Sequence, residues 1–290
     1  MKRKILFVIN PISGVKTKYN FPLKIDKYLD KSKFDSECVF TEYRGHGSQI
    51  AAEAIKNGVD ILVAVGGDGT INEVASEVEG TNILMGIIPF GSGNGLARSL
   101  GIPIHAIHAI KRINKLHISK IDSGTFNGRK FFNMAGLGFD AQISARFAEN
   151  VKRGLISYAK IAFSEVSNYH SQHYRLNIDG KEYAHQAFMI SIANSSQYGN
   201  NAHISPLASL NDGMLDICIV KPFPLYKFPA LVFRMFRKNT HKSNYLEIIQ
   251  GSKIIITREN AAVIHLDGDP FDMGNTLTIG INPHSLNILN

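Results

Sequence analysis

The stretch "DILVAVGGDGTINEVASEVEG", residues 60–80, decides how the chain is read. "DILVAV" is a short, unbroken apolar run of the kind that forms a strand covered on both faces. Gly66, Gly67 and Gly69 follow, and their lack of a side chain lets the backbone turn sharply and come close to a ligand. A helical pattern starts near Thr70 and closes at Gly80, so the helix's first N–H groups and the positive end of its dipole face the loop. A strand, a glycine loop and a helix start in this order make an anion site at the carboxyl edge of a parallel sheet. Asp68 lies in the middle of the loop, where a carboxylate repels phosphate unless Mg²⁺ stands between them. The loop thus implies nucleotide phosphate with a metal ion. The plainer alternative is a tight turn with Thr70 as N-cap, which does not call for a carboxylate between glycines.

The same grammar extends to both sides. "KILFVIN" is a strand ended by Asn10-Pro11, and a helical region follows over about 17–31. "FDSECVFTE" reads as a strand and "GSQIAAEAIKNG" as a helix closed by Gly58. "NILMGIIPFG" is a further strand, "GNGLARSLG" a short helix, and Pro103 opens the helix "PIHAIHAIKRI". Strands alternating with helices predict a parallel sheet with helices on both faces. Near residue 115 the pattern changes. Asn127-Gly128 and Asp179-Gly180 mark hairpins, and "GMLDICIV", "KIIITR", "AAVIHLDGD" and "NTLTIGI" are strands. Helical stretches over about 139–167 and 224–238 interrupt them. The expected architecture is a three-layer α/β nucleotide-binding domain over 1–122 and an antiparallel β-sandwich substrate domain over 123–277. No linker composition separates them, so a cleft between packed domains is expected.

Composition excludes several classes. The chain has 290 residues, enough for a large core without staples, and a formal net charge of +8 that suits acidic partners such as phosphates, nucleotides or anionic lipid. Its two cysteines, Cys38 and Cys218, sit in apolar strands and read as small core residues in a reduced cytoplasmic setting. No run is long enough to span a bilayer, and the basic, apolar N-terminus lacks a cleavage site. The histidines show no metal-ligand spacing, and His105 and His108 read as a surface pair. Basic residues are dispersed and form no nucleic-acid reader motif.

Two more glycine loops repeat the logic of the first. "INPISG", residues 9–14, follows the first strand, with Asn10 a side-chain donor and Gly14 allowing close approach. "PFGSGNGLAR", residues 89–98, follows the fourth and sets Ser92 and Asn94 among glycines at a helix start. Three such loops after strands of one sheet converge on one edge. "NPISG", "GGDGTINEV" and "GSGNGLARSLGIP", in this order and spacing, resemble the diacylglycerol kinase catalytic-domain family, which includes sphingosine and ceramide kinases and soluble bacterial lipid kinases. "NMAGLGFDAQI", "PLASLNDGMLDI" and "HLDGDPF" extend the likeness over nearly the whole chain. "GGDGT" alone also looks like the loop of NAD kinases and has a cousin in phosphofructokinases.

The resemblance implies ATP and Mg²⁺ as cofactors and a last segment, about 278–290, that returns to the first domain. It implies that Asn10, Gly14 and Thr41 line the nucleotide and that Gly66, Gly67, Asp68, Gly69, Thr70, Asn72 and Glu73 cradle phosphates. Asp68 would lie near the catalytic metal, and Ser92 and Asn94 would complete the site. The family's late carboxylate, the base for the acceptor hydroxyl, falls on Asp267, with Asp269 where Glu is usual. Asp212 and the Met214 carbonyl match a structural Mg²⁺ position, where Ser209 replaces the usual acid. Without the resemblance, "HLDGDPFD" is a strand and an Asp-Gly turn.

The acceptor is less defined. The third loop reads "GSGNGLA", closer to the sphingosine-kinase version than to the bacterial diacylglycerol-kinase one. Asp140 falls where sphingosine kinases pair an acid with the sphingoid amine; equally, it is a helix N-terminal charge favoured by the dipole. The expected function is an ATP- and Mg-dependent lipid kinase acting on diacylglycerol or a sphingoid base, with an NAD-kinase-like enzyme on a soluble substrate or a non-catalytic nucleotide- or lipid-binding protein as alternatives. Such a kinase would be cytoplasmic and visit the inner face of the membrane, and a homodimer is compatible with the pattern. The stretch 221–242 mixes Phe228, Leu231, Val232, Met235 and Phe236 with Lys227, Arg234, Arg237 and Lys238. It reads either as an interfacial helix or as a helix packed on the β domain, and 151–163 has the same ambiguity.

Overall fold

The structure, a computed structural model, describes residues 2–14, 18–149 and 155–290. The chain divides into two compact units, Met1–Ile121 with His284–Asn290, and Asp122–Pro283.

The first unit alternates strictly. β1 (Arg3–Ile9), α1 (Phe21–Tyr28), β2 (Phe34–Phe40), α2 (His46–Lys56), β3 (Ile61–Gly66), α3 (Asp68–Val78), β4 (Leu84–Pro89), α4 (Gly95–Ser99) and α5 (Ala106–Ile113) follow in order. The strands lie side by side as β2-β1-β3-β4, all parallel. From β1 the chain first steps outward to β2, then crosses back over β1 to β3. Right-handed crossovers put α1 on one face and α2 and α3 on the other. α1 accordingly packs with α5, and α2 with α3. β3 and β4 are buried along their whole length, as strands covered on both faces must be. Direction reverses at β1 and β3, and open α/β sheets bind ligands beyond the carboxyl ends of strands at such a point.

β5 (Ile118–Phe126) leads into the second unit. β6 (Arg129–Phe131), β7 (Met134–Gly138), α6 (Phe139–Glu149), α7 (Leu155–Glu165), β8 (Gln172–Ile178), β9 (Lys181–Ala187), β10 (Met189–Ala193), β11 (Gln197–Gly199), β12 (Ala202–His203) and β13 (Leu215–Val220) follow. α8 (Phe228–Phe236), β14 (Leu246–Gly251), β15 (Lys253–Arg258), β16 (Ala262–Leu266), β17 (Asp269–Met273) and β18 (Thr276–Leu289) complete the chain. One antiparallel layer runs β14-β13-β10-β7-β16-β17, and the other joins β18, β15, β8 and β9, with β5 and β6 beside β18. β11 and β12 form a separate small hairpin. The two layers enclose a core that draws Ala135, Leu137 and Ile190 from one sheet and Leu176, Ile254 and Ile256 from the other, which makes the unit a β-sandwich. β13 shows why its sequence is apolar apart from Asp216: Leu215, Ile217 and Ile219 enter the sandwich core, while Cys218 and Val220 face a second core under α6 and α8. β18 ends in the first unit, where Asn287 and Ile288 pair in parallel with Leu84 and Met85.

Several expectations are corrected. α3 begins at Asp68, with only the N-cap Gly67 between it and β3, so Thr70 lies inside the helix and caps nothing. α5 begins at Ala106, because His105 takes an extended conformation after Pro103. α1 covers Phe21–Tyr28 and stops where Leu29 turns extended. The stretch 139–167 holds two helices, and residues 150–154 lie outside the described ones. Cys38 is half-buried on edge strand β2, unlike the buried Cys218. Burial, then Glu37, pushes its thiol up to about 11, which makes it inert.

Leu62, fully buried as the second residue of β3, is predicted to anchor the first unit. Leu62→Ala should cost about 2–5 kcal/mol, read as a lower urea midpoint.

Candidate functional site

The three glycine loops of the first unit meet at the carboxyl ends of β1, β3 and β4. Asn10 ends β1. Its backbone N–H bonds to the Val65 carbonyl, its side-chain amide donates to Thr70 Oγ1 at 3.1 Å, and its Oδ1 accepts the Ile12 N–H. Gly14 has φ +74°, and a Cβ there would come within 2.2 Å of the Phe90 carbonyl oxygen, so only glycine lets the first loop lie on the third. The second and third loops touch backbone to backbone: a Cβ on Gly91 would fall 2.7 Å from Gly67 Cα.

Asp68 ties this contact. Its Oδ2 accepts the Asn94 N–H and its Oδ1 the Gly95 N–H, both at 2.9 Å. The carboxylate thus sits at the start of α4 as well as in the first turn of its own helix, and both dipoles favour its charge. Asn94 is left-handed, with φ 52°, and its amide donates to the Gly91 carbonyl. Its Oδ1 is buried with no hydrogen-bond partner among the described residues. A buried acceptor left open in a glycine-lined corner fits a ligand that supplies a donor. α3 has no side-chain cap, so its leading amides face the same loops, whereas the first amide of α4 is taken by Asp68.

The other residues expected here divide. Thr41 is buried just beyond β2, with its N–H on the Ile9 carbonyl, and Ser92 is exposed on the third loop. Asn72 Oδ1 accepts the Ser76 hydroxyl. Glu73 bonds the backbone N–H groups of Gly45 (2.8 Å) and Gly47 (2.9 Å), and so closes the start of α2. Lys18 was not anticipated from the sequence. It is buried, bonds the Ser13 carbonyl, and lies 4.9 Å from the centre of the Phe90 ring. Burial lowers its pKa. Its only sequence signal was a lysine a few residues after "NPISG". Arg98 Nε donates to the Gly93 carbonyl at 3.1 Å.

In the second unit, Asp267 occupies the β16–β17 turn with φ 49°, followed by Gly268 at φ 90°. This is the same doubly left-handed turn that closes the hairpins at Asn127-Gly128 and Asp179-Gly180. The Asp267 carboxylate accepts the N–H groups of Phe132, Asn133 and Met134, each at 2.9 Å. Asp269 opens β17 opposite Leu266. Asp140, in the first turn of α6, is buried and bonds His265 Nε2 and the Tyr198 hydroxyl, both at 2.8 Å. The other ring nitrogen of His265 faces the Gly268 N–H at 3.4 Å, which links Asp140 to the turn carrying Asp267. A Cβ on Gly136 would lie 2.3 Å from Asp140 Oδ2 and 2.4 Å from His265 Nε2, so a glycine on β7 makes room for the pair. Burial pushes Asp140 up and His265 down. Their mutual attraction and hydrogen bonds prevail, leaving Asp140 below and His265 above the ordinary values. Sequence reading missed His265, Tyr198 and Gly136, which come from separate strands.

Asp212, Met214 and Ser209 lie in the loop before β13. Asp212 Oδ1 accepts the Met214 N–H at 3.1 Å, Ser209 donates to Asn211, and the Gly213 N–H bonds Asp122. Asp212 turns back on its own loop, and the Asp122 carboxylate reaches the amide of the next residue; among the described residues no three His, Cys, Asp or Glu side chains come together as a metal site.

Residues 4–126 match the diacylglycerol kinase catalytic domain, and residues 133–290 match the YegS C-terminal NAD kinase beta sandwich-like domain. A Chromohalobacter salexigens protein named "Probable lipid kinase YegS-like" is 30% identical over 78% of this chain and 75% of its own. The diacylglycerol kinase of Bacillus subtilis is 25% identical over 93% of this chain and 90% of its own. A crystal structure of a diacylglycerol kinase from Bacillus anthracis superposes with a TM-score of 0.78 at 21% identity, covering 99% of this chain and 96% of that one. An NAD kinase from Archaeoglobus fulgidus in complex with ATP superposes with a TM-score of 0.53 at 13% identity, covering 100% and 94%. These last two likenesses are of fold alone. The glycine loops, the β-sandwich and these matches agree: the chain is a kinase and belongs to the diacylglycerol kinase catalytic domain family, with a YegS-type C-terminal domain.

Proposed function

We propose that the protein transfers the γ-phosphoryl group of ATP to the hydroxyl of a neutral membrane lipid of the diacylglycerol type. The observation that supports this is the meeting of three glycine loops at the sheet's switch point, two of them tied by the Asp68 carboxylate, in a family of lipid kinases. Phosphoryl transfer asks a protein mainly for positioning and charge stabilisation. The leading amides of α3 supply donors for phosphate oxygens, and Asn94 Oδ1 an acceptor for a nucleotide donor group. The residues suit Mg²⁺ that is held mostly by phosphates and water, since Mg²⁺ commonly takes only one or two protein carboxylates. Asp68 is the carboxylate that fits, and the ion, when bound, would neutralise phosphate charge. Lys18 and Glu73 serve the loop scaffold.

Asp267 of the second unit is proposed as the group that orients the acceptor hydroxyl and takes its proton, with Asp269 beside it as a second carboxylate. The hydrogen bonds from Phe132, Asn133 and Met134 hold Asp267 in one orientation. The environment of Asp140 supports a neutral glycerolipid over a sphingoid base. A sphingoid amine would need an anion available to it, and Asp140 is buried and already matched by His265. A neutral glycerolipid makes no such demand.

Labelled ATP offered with diacylglycerol, monoacylglycerol, ceramide and sphingosine in mixed micelles should give product with diacylglycerol. Product from sphingosine alone, or from NAD and no lipid, would reject the assignment. Asp68→Asn removes a charge from the loop junction and should lower kcat/KM by on the order of 10²–10³-fold, with weaker nucleotide binding by calorimetry.

Asp267→Asn should reduce kcat by about 10²–10⁴-fold while leaving ATP affinity within a few fold. Near-normal turnover would remove it from the reaction. The same change turns one acceptor oxygen into a donor, so a stability loss of about 1–3 kcal/mol should accompany it.

The Asp140–His265 pair sets a pH window. His265 is raised above 6.5, so its contribution is complete below that pH and is lost as pH rises through its folded value. Asp140 is lowered below 3.8, so its contribution is complete above that pH and is lost as pH falls through its folded value. His265→Leu leaves Asp140 buried without its cation and should cost about 3–5 kcal/mol. Urea midpoints across the pH range should show the gap from wild type widest between 3.8 and 6.5.

A further inference from the structure

We propose that the outer face of α8, with the turn leading into it, is the surface that docks on an anionic lipid bilayer. It rests on the lipid-kinase reading and names the partner surface through which that enzyme reaches its substrate.

The apolar residues of this segment divide into two sets. Phe228, Leu231, Val232 and Met235 face inward, where they line an apolar cavity of ≈ 60 Å³ together with Phe188 and Val220. That stripe is what packs α8 onto the β-sandwich. The second set has no such use. Leu225 is 51% exposed, Tyr226 75%, Phe233 63% and Phe236 42%. The stretch read from sequence as one amphipathic face thus has a core stripe and, separately, an outward aromatic patch. Phe163 of α7 is also exposed, at 51%, and meets the inward Phe228 edge to face at 5.2 Å. Clustered exposed aromatics of this size mark an interaction surface.

Charge decides the occupant. From Lys221 to Tyr245 the chain carries six Lys or Arg residues and no Asp or Glu. Lys221 pairs with Glu247. Two of the others lie against the outward rings: Lys227 Nζ is 5.3 Å from the centre of the Tyr226 ring, and the Arg237 guanidinium 5.9 Å from that of Phe233. Aromatic rings at headgroup depth, with cations on flexible stems beside them, suit an interface whose outer layer is anionic and whose inner layer is apolar. Each Lys or Arg near such a surface adds attraction within a Debye length. Among the described residues no helix is long and apolar enough to cross a membrane.

The test uses the whole protein with vesicles of phosphatidylcholine alone or with about a third phosphatidylglycerol. Wild type should co-sediment with the anionic vesicles and poorly with the neutral ones, the more so at low salt. Phe233→Ser with Phe236→Ser, and separately Arg237→Glu with Lys238→Glu, should weaken that binding by about tenfold or more. Both variants should keep the wild-type melting temperature and act normally on a short-chain diacylglycerol dissolved as monomers. Vesicle binding equal to wild type in both variants overturns the proposal. So does a change in sedimentation coefficient without a change in vesicle binding, which assigns the patch to a protein partner. Loss of vesicle binding in the variants supports the surface even if no lipid is phosphorylated, in which case it is the lipid-kinase reading that falls.

Discussion

Everything at the candidate nucleotide site depends on where one carboxylate goes. Asp68 is in the first turn of α3, yet its oxygens are taken by the amides of Asn94 and Gly95 at the start of another helix. That pair of charge-assisted bonds holds the second glycine loop against the third. It explains why Gly67 and Gly91 must lack side chains, since any Cβ would separate the loops the carboxylate draws together. It also explains the left-handed Asn94, whose conformation turns two successive amides toward one acceptor. One turn later Glu73 does the same for Gly45 and Gly47. α3 therefore organises the loops on either side of it through acidic side chains that bind backbone.

The second unit is held by a different device. Its strands are joined by hairpins with left-handed residues, and one of these turns carries Asp267. Here too a carboxylate gathers backbone amides, those of Phe132, Asn133 and Met134. Behind the turn, Asp140 and His265 share a fully buried site that is affordable only because Gly136 leaves space and Tyr198 adds a hydrogen bond. A buried pair of this kind stabilises weakly in total but is costly to break, so it fixes one arrangement of β16, β7 and α6.

Much of the fold was legible. The fully apolar runs of β3 and β4, the closing glycines and the Asn-Gly and Asp-Gly turns each report a local constraint that any fold must meet. Boundaries were less legible. Thr70 looked like an N-cap because its residue type suits that place, but α3 starts at Asp68, because the extended Gly67 already accepts the Ile71 N–H and so opens the helix three residues earlier. α8 was ambiguous for a related reason: a helix with apolar residues on two sides gives one mixed pattern, and only packing separates Val232 and Met235 inside from Phe233 and Phe236 outside.

The sequence by itself determined the α/β-then-β architecture, the glycine loops with Asp68 among them, and the family. These depend on periodicity, on glycine's backbone freedom and on motifs contiguous in the chain. Only the tertiary structure decided that Asp68 and Glu73 bind backbone from other loops, that Lys18 is buried beside the first loop, and that Asp140 is paired with His265. Each of those turns on which residues, tens of positions apart, are brought within hydrogen-bonding distance. Local pattern carries no information about that, because such contacts are set by strand order and by the packing that follows from it.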